Sequence, residues 1–414
     1  MPNDQPTDLL AEAERLSDRI VALRRAIHAE PELGLITPKT RDKVRDALAH
    51  LPIEWREGPS TTGLVGVLRG KAAGTAGDRG GSSRRVLLRG DMDALAMPEE
   101  TGLPFASRIE GTMHACGHDA HTAMLAGAAE LLAGRLDSLA GEVLLMFQPG
   151  EEGHHGARFM LDDGLIDPLP DAAFALHVMP NAPHGVIGGR EGALLAAADQ
   201  IDIVIEGQGG HASMPHQTRD PMPVACEIVL ALQAMVTRRF DVHDPVVVTI
   251  ARIEGGTAHN VIADRVSLRG TMRSLSATSR ERLHEEVRQV AAGIAFAHGV
   301  AAEVTITEGF PVTLCDGRAV DFGERVSRQL FGHAAFRRLA APIMGAEDFA
   351  YVLEKVPGAM FFLGVAQQGE DWTRCCGIHS PRMVLDEAAL PRGAALLAGL
   401  AEQFLAGGFG QHQA

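Results

Sequence analysis

The chain has no basic surplus. Its 38 Lys and Arg are set against 53 Asp and Glu, a net charge of −15. That argues against nucleic acid and against an anionic membrane surface as partners, because both reward a basic face. Long apolar runs are also missing: no stretch of about 18 such residues occurs, so no membrane span is expected. Residues 1–14 are polar and acidic, without the basic and apolar regions of a secretory signal. Cysteine is scarce. Five scattered thiols, adjacent only at Cys375 and Cys376, are too few and of the wrong parity for a disulfide framework. They read as reduced thiols in a cytoplasmic protein. No internal repeat is visible. What remains is an ordinary globular composition, 46% hydrophobic and 22% charged, in 414 residues. That length exceeds one compact core and predicts two domains.

Apolar residues at helical spacing (Leu9, Leu10, Ala13, Leu16, Ile20, Leu23) predict an opening amphipathic helix over 8–29, ending near Pro31. A second helix is expected around 39–50. Residues 63–68 and 85–89 read as short strands, and the Gly-, Ala- and Ser-rich 69–83 between them as a mobile surface loop. Three apolar runs then stop at polar residues: Val86 runs into Gly90-Asp-Met-Asp93, Val143 into Gln148-Pro-Gly-Glu-Glu152, and Phe174 into His177. Helices over 119–133 and 156–163 alternate with these runs. The alternation predicts an α/β fold with a central, mostly parallel sheet, and such sheets gather their sites at the carboxyl ends of strands.

The pattern changes near Leu195. Gln200-Ile-Asp-Ile-Val-Ile-Glu206 alternates as a strand with one buried face. A helix over 219–238, strands over 245–254 and 264–273, a helix over 279–298 and a strand over 301–307 follow, with Thr278 and Glu281 as a capping box. This β-α-β-β-α-β order is the ferredoxin-like unit. It reads as inserted, because α/β pattern resumes with helices over 319–331 and 387–405 and a strand over 359–364. The expected division is 1–194, 195–307 and 308–414.

His114-Ala-Cys-Gly-His-Asp-Ala-His121 puts one thiol and three imidazoles within eight residues, a metal-site signature. Cys116 and His118 need distant partners. Glu151 and Glu152 stand at one strand end, His177 at another, and His379 in the turn-rich Gly377-Ile-His-Ser-Pro381. Such a set suits two divalent ions with a bridging thiolate. Paired glutamates sharpen this: one carboxylate can bind metal while the other takes a proton from water and returns it to a leaving amine. Taken singly, each residue has a plain reading as well. A histidine at a strand end is usually structural, Glu-Glu pairs are common on solvated surfaces, His114 and His121 fit supporting places, and Asp119 fits a helix cap. Gly207-Gln-Gly-Gly210 lacks the Lys-Ser/Thr of a phosphate loop.

Together these segments resemble the amidohydrolase branch of the aminoacylase and carboxypeptidase clan of metallopeptidases, the hippurate hydrolase and auxin-conjugate hydrolase group. The resemblance rests on Arg25-Ala-Ile-His-Ala-Glu-Pro-Glu-Leu-Gly34, Arg89-Gly-Asp-Met-Asp-Ala-Leu95, Met113-His-Ala-Cys-Gly-His-Asp-Ala-His-Thr122 and Gln148-Pro-Gly-Glu-Glu-Gly153. It continues through Ala175-Leu-His177, Gly209-Gly-His-Ala-Ser213, Gly255-Gly-Thr-Ala-His-Asn-Val-Ile-Ala263, Met344-Gly-Ala-Glu-Asp-Phe349 and His379-Ser-Pro381.

The resemblance implies a di-metal site of Cys116, His118, Glu152, His177 and His379, with Cys116 as bridge; thiolate and imidazole favour zinc, cobalt or nickel as the ions, and carboxylates also admit manganese. It implies Glu151 as general base and acid and Asp93 as a supporting carboxylate, with Asp91 outside the ligand set. The inserted domain resembles a lid through which two copies dimerise. His211 on it would stabilise an oxyanion in the partner's site, and Asn260 and, more weakly, Arg273 would hold the substrate's carboxylate. The implied activity is hydrolysis of N-benzoyl or N-acetyl amino acids. The alternatives are a dipeptidase or aminopeptidase of the clan, or a non-catalytic metal-binding protein. The chain departs from the family pattern at His154 and His155, where glycines are usual, and at Cys375, Cys376 and Met383-Val-Leu385.

Overall fold

The fold was analysed in a computed structural model, which describes residues 9–72 and 83–410. Most of the loop expected over 69–83 therefore lies outside the described residues. The chain divides into a larger unit (residues 1–194, 314–341 and 348–414) and a smaller one (195–313 and 342–347).

The larger unit is built on one mixed sheet of eight strands. Its order is Glu54–Glu57, Leu64–Arg69, Glu142–Gln148, Arg85–Asp91, Ala172–Met179, Gly358–Gly364, Ile187–Gly189 and Phe336–Arg338. The four central strands are mutually parallel. Leu64–Arg69 and Ile187–Gly189 run antiparallel to their central neighbours. Strands Arg85–Asp91 and Gly358–Gly364 are buried along their whole length, as parallel strands covered on both faces must be. Phe174 stacks on Phe322 and Phe361 within this core. Helix Leu390–Gly407 approaches helix His118–Ala133 so closely that a Cβ at Gly393 would lie 2.0 Å from the Met124 sulfur. Because the central strands are parallel, Asp91, Gln148 and Met179 end on the same sheet edge, and the three polar sets are delivered there.

Helices and strands depart from expectation in a few places. The opening helix is two, Leu9–Arg15 and Ser17–His28, divided at Leu16, whose N–H bonds Ala13 O at 3.0 Å in a tighter turn. Edge strand Glu54–Glu57 has no clear alternation, and its burial is correspondingly shallow.

The smaller unit is a four-stranded antiparallel sheet in the order Val247–Gly255, Arg265–Ser274, Ala197–Glu206, Ala301–Glu308. Helices Pro221–Arg239 and Ala277–Ala297 complete the β-α-β-β-α-β order. Ile201, Ile203 and Ile205 point into its core with Val266, Leu268, Leu283 and Val287, at the alternate positions the pattern predicts. The cap of the second helix is Ser276, which accepts from Ser279 N–H; the Thr278–Glu281 box is not used. The unit extends past the expected 307, because Ala198 N–H bonds Phe310 O, and Ala196 N–H bonds Ile343 O and Gly345 O, drawing in 342–347.

A candidate di-metal centre

Five candidate ligands come from four segments of the larger unit. Cys116 precedes helix His118–Ala133, which opens with His118. Gly117 between them has φ 90°, and a Cβ there would lie 2.3 Å from Val178 Cγ2, so only glycine fits. Glu151 and Glu152 follow strand Glu142–Gln148, and His177 lies in Ala172–Met179. His379 has a left-handed φ of 63° and is pinned by its N–H to Ala115 O at 2.7 Å.

The donor atoms converge as two triads, Cys116–His118–His177 and Cys116–Glu152–His379, each with its atoms within 4.8 Å of one another. The thiol belongs to both, the place of a bridge. The imidazole tautomers are set by backbone carbonyls: His118 Nδ1 donates to Asp93 O at 2.8 Å, and His177 Nδ1 to Val178 O at 2.7 Å. Both therefore present Nε2 to the centre. His118 Nε2 is buried without a hydrogen-bond partner among the described residues. A buried donor atom left this way, in a set of thiol, imidazole and carboxylate, fits divalent ions.

The electrostatics point the same way. Hydrogen bonds that the His379 ring donates to the Cys116 sulfur and to Glu152, 3.2 Å away, lift its pKa to about 10. Burial opposes charge on His118, yet Asp91 and Cys116 hold its pKa well above the ordinary value. The pocket thus gathers positive charge. Burial pushes the Cys116 thiol up, a shift that a coordinated cation reverses. Burial presses His177 well below its ordinary value, keeping it neutral and able to ligate.

Asp93 orients the glutamate pair. Its two oxygens accept the N–H of Glu151 and of Glu152, each at 3.0 Å. Glu151 Oε2 lies 4.0 Å from His118 Nε2, beside the cluster. Asp91 is engaged by Arg89 and by His121 Nδ1 at 2.6 Å. His114 is buried outside both triads, and burial brings its pKa down to about 3. Asp119 does not cap the helix; its carboxylate is held by Arg24 Nε and His28 Nδ1, both at 2.7 Å. His155, with φ 58°, has Nδ1 2.8 Å from Tyr351 Oη, and the His154 ring lies against Gly34. Cys375 is half-buried and Cys376 exposed, both outside the triads.

Sequence reasoning missed a buried network beneath the site. Arg89 Nε donates to Gln148 Oε1 at 2.9 Å, Arg89 Nη2 to Asp348 Oδ1 at 3.1 Å, and Gln148 Nε2 to both Asp348 oxygens at 2.8 and 2.9 Å. All three residues belong to the resembling motifs, the one signal that singles them out.

His211 and Asn260 belong to the smaller unit. Gly210–His211 and Val261–Ile262 form a two-stranded ribbon in which Ala212 N–H bonds Asn260 O at 3.1 Å, and both side chains are exposed. Ser213 N–H donates to His211 Nδ1 at 3.2 Å, so the neutral ring carries its proton on Nε2. Arg273 is far from them. Asp264 ties the ribbon to the start of strand Arg265–Ser274. Arg273 lies near the strand's other end, roughly 26 Å away at about 3.3 Å per residue.

The family model of peptidase family M20/M25/M40 matches residues 87–403. The chain belongs to this family, and within it to the amidohydrolase branch, the metal-dependent amidohydrolases. It is 38% identical over 399 residues to the IAA-amino acid hydrolase ILR1-like 2 of Arabidopsis thaliana, covering 95% of this chain and 87% of that one. It is 38% identical over 374 residues to the N-acetylcysteine deacetylase of Bacillus subtilis, covering 90% and 93%. The solved Bacillus subtilis YXEP protein, a dinuclear metal-binding peptidase of the M20 family, superposes with a TM-score of 0.80 at 34% identity, covering 95% and 99%. Among the described residues no helix is long and apolar enough to cross a membrane.

Proposed function

We propose that this chain hydrolyses the amide bond of N-acyl amino acids, N-benzoyl or N-acetyl conjugates, to a carboxylic acid and a free amino acid. The observation that carries the reading is Cys116 shared by two donor triads, with Glu151 beside them. The relatives named for IAA-amino acid conjugates and N-acetylcysteine support the substrate class.

Cys116, His118, Glu152, His177 and His379 would hold two divalent ions, of zinc, manganese, cobalt or nickel. Such ions supply Lewis acidity at a carbonyl oxygen and lower the pKa of a water toward about 7. Glu151 takes a proton from the attacking water on a carboxylate oxygen. It delivers that proton to the amide nitrogen as the C–N bond breaks, leaving a neutral amine and a carboxylic acid, which then loses its remaining proton to solvent. Asp93 fixes the Glu151 backbone so that this carboxylate does not wander. The Nε2–H of His211, contributed by a second copy, donates to the oxyanion of the tetrahedral intermediate. Asn260 holds the amino-acid carboxylate, with Arg273 as a second candidate.

We place this enzyme in the cytoplasm as a homodimer through the smaller unit; the five free cysteines support a reducing setting. Metal content by mass spectrometry, followed by hydrolysis of hippurate, N-acetyl amino acids and unblocked dipeptides, tests the reading. Cleavage of the blocked substrates with two ions per chain is expected. Preference for free dipeptides would replace it with a peptidase, and metal without hydrolysis would replace it with a binding protein.

A further inference from the structure

Strand Ala172–Met179 pairs with Arg85–Asp91 only as far as Ala175, opposite Arg89. On its other side it stays paired with Gly358–Gly364 as far as Met179. Beyond Ala175 the strand therefore carries His177 and Val178 along a gap in the sheet, and both are buried. A buried backbone N–H that has lost its ladder partner must find another acceptor. That of Val178 finds His121 Nε2, 2.8 Å away. The other ring nitrogen, Nδ1, lies 2.6 Å from Oδ1 of Asp91, the last residue of the neighbouring strand. The imidazole spans the gap where the two strands part.

A backbone N–H can only donate, so Nε2 of His121 carries the lone pair and Nδ1 the proton. With both nitrogens occupied, His121 has none left for an ion, although its atoms converge with those of Asp91 and His118. Its ring centroid lies 4.4 Å from that of His177. His177 in turn donates Nδ1–H to Val178 O at 2.7 Å. The residue whose N–H is gripped by His121 thus sets the plane of the His177 ring, whose Nε2 lies 3.4 Å from the Cys116 sulfur.

We infer that His121 is a positioning residue: as a neutral Nδ1–H imidazole bridging Asp91 and the Val178 amide, it aims His177 at the thiol shared by the two triads. The inference rests on the metal reading of the site but not on the choice of substrate.

The full-length chain, stripped of metal, is titrated with Zn²⁺ and in parallel with Mn²⁺ against a chromophoric chelator. Wild type is compared with His121→Ala, His121→Asn and His121→Gln. An Asn amide places its N–H near the Nδ1 position, within reach of Asp91, but offers Val178 no acceptor. A Gln amide places an oxygen near the Nε2 position. Loss of a group that orients a ligand typically weakens metal binding about 10- to 100-fold. That loss is expected for one of the two ions in the Ala and Asn variants, with most of the affinity restored by Gln. Wild-type affinity for both ions in the Ala or Asn variant, or a Gln variant as weak as Ala, overturns the inference. If the Ala variant does not fold, the Asn–Gln comparison still decides. Because the readout is ion affinity, a chain that cleaves no N-acyl amino acid would refute the proposed function and leave this inference standing. A wild-type chain that binds neither ion overturns both.

Discussion

Cys116 shows how one side chain can be given opposite characters by its surroundings. Burial pushes its pKa up, against the pull of His118, and a protonated buried thiol is inert as a nucleophile. A divalent cation at the sulfur would make it a thiolate. Cys116→Ala is therefore expected to drop metal content, read by mass spectrometry, below that of any variant that removes one terminal ligand, because both triads lose a donor. A loss no larger than that of His379→Ala would show that the thiol does not bridge. Glu151→Gln is expected to behave in the opposite way, keeping both ions while turnover falls about 10²- to 10⁴-fold. Wild-type turnover in that variant would assign the base elsewhere. Cys116, His118, Glu152 and His177 were legible because they cluster at strand ends or in one octapeptide. Arg89, Gln148 and Asp348 were not, since they meet across 200 residues of sequence and leave no local period.

At the scale of elements, the sequence read well wherever burial has a period. The alternating strand Ala197–Glu206 and the fully apolar central strands were visible for that reason. Burial driven by charge was invisible. Arg24 sits in the apolar stripe of helix Ser17–His28 yet is only 2% exposed, because Asp119 takes its guanidinium. The same helix carries His28, whose nitrogens face Asp119 at 2.7 Å and Glu99 at 3.2 Å. Burial opposes its charge and Arg24 repels it, but Asp119 and Glu99 prevail, holding the pKa at about 9 against an ordinary 6.5. A raised folded-state pKa stabilises fully below the unfolded value and is lost as pH climbs through the folded one. This clamp should therefore be intact at pH 6 and weaken between about 6.5 and 9, by up to about 3 kcal/mol. Urea unfolding of the metal-free chain across that window measures it. In His28→Gln the fall should largely disappear; an undiminished slope would assign it to another group.

At the scale of the whole molecule, the proposed role of His211 is tested by asking whether a second copy supplies it. His211 and Asn260 share one ribbon of the smaller unit, and Arg273 stands near the far end of the adjoining sheet. One substrate carboxylate is far too small to span the roughly 26 Å between them. If Asn260 and Arg273 both serve one substrate, they must come from different copies. A mixing experiment decides the matter for His211. Glu151→Gln lacks the base but keeps His211, and His211→Ala lacks the donor but keeps Glu151. In a mixed dimer with His211 acting in trans, the site on the His211→Ala chain has its own Glu151 and receives His211 from the Glu151→Gln partner. The other site lacks both. Equal, random mixing makes half the dimers mixed, each with one intact site of two, so about a quarter of wild-type activity should return from two nearly inactive parents. If His211 acts within its own chain, every site in the mixture lacks one group and nothing returns. The same null result from a chain that sediments as a monomer would remove the dimer from the proposed mechanism altogether.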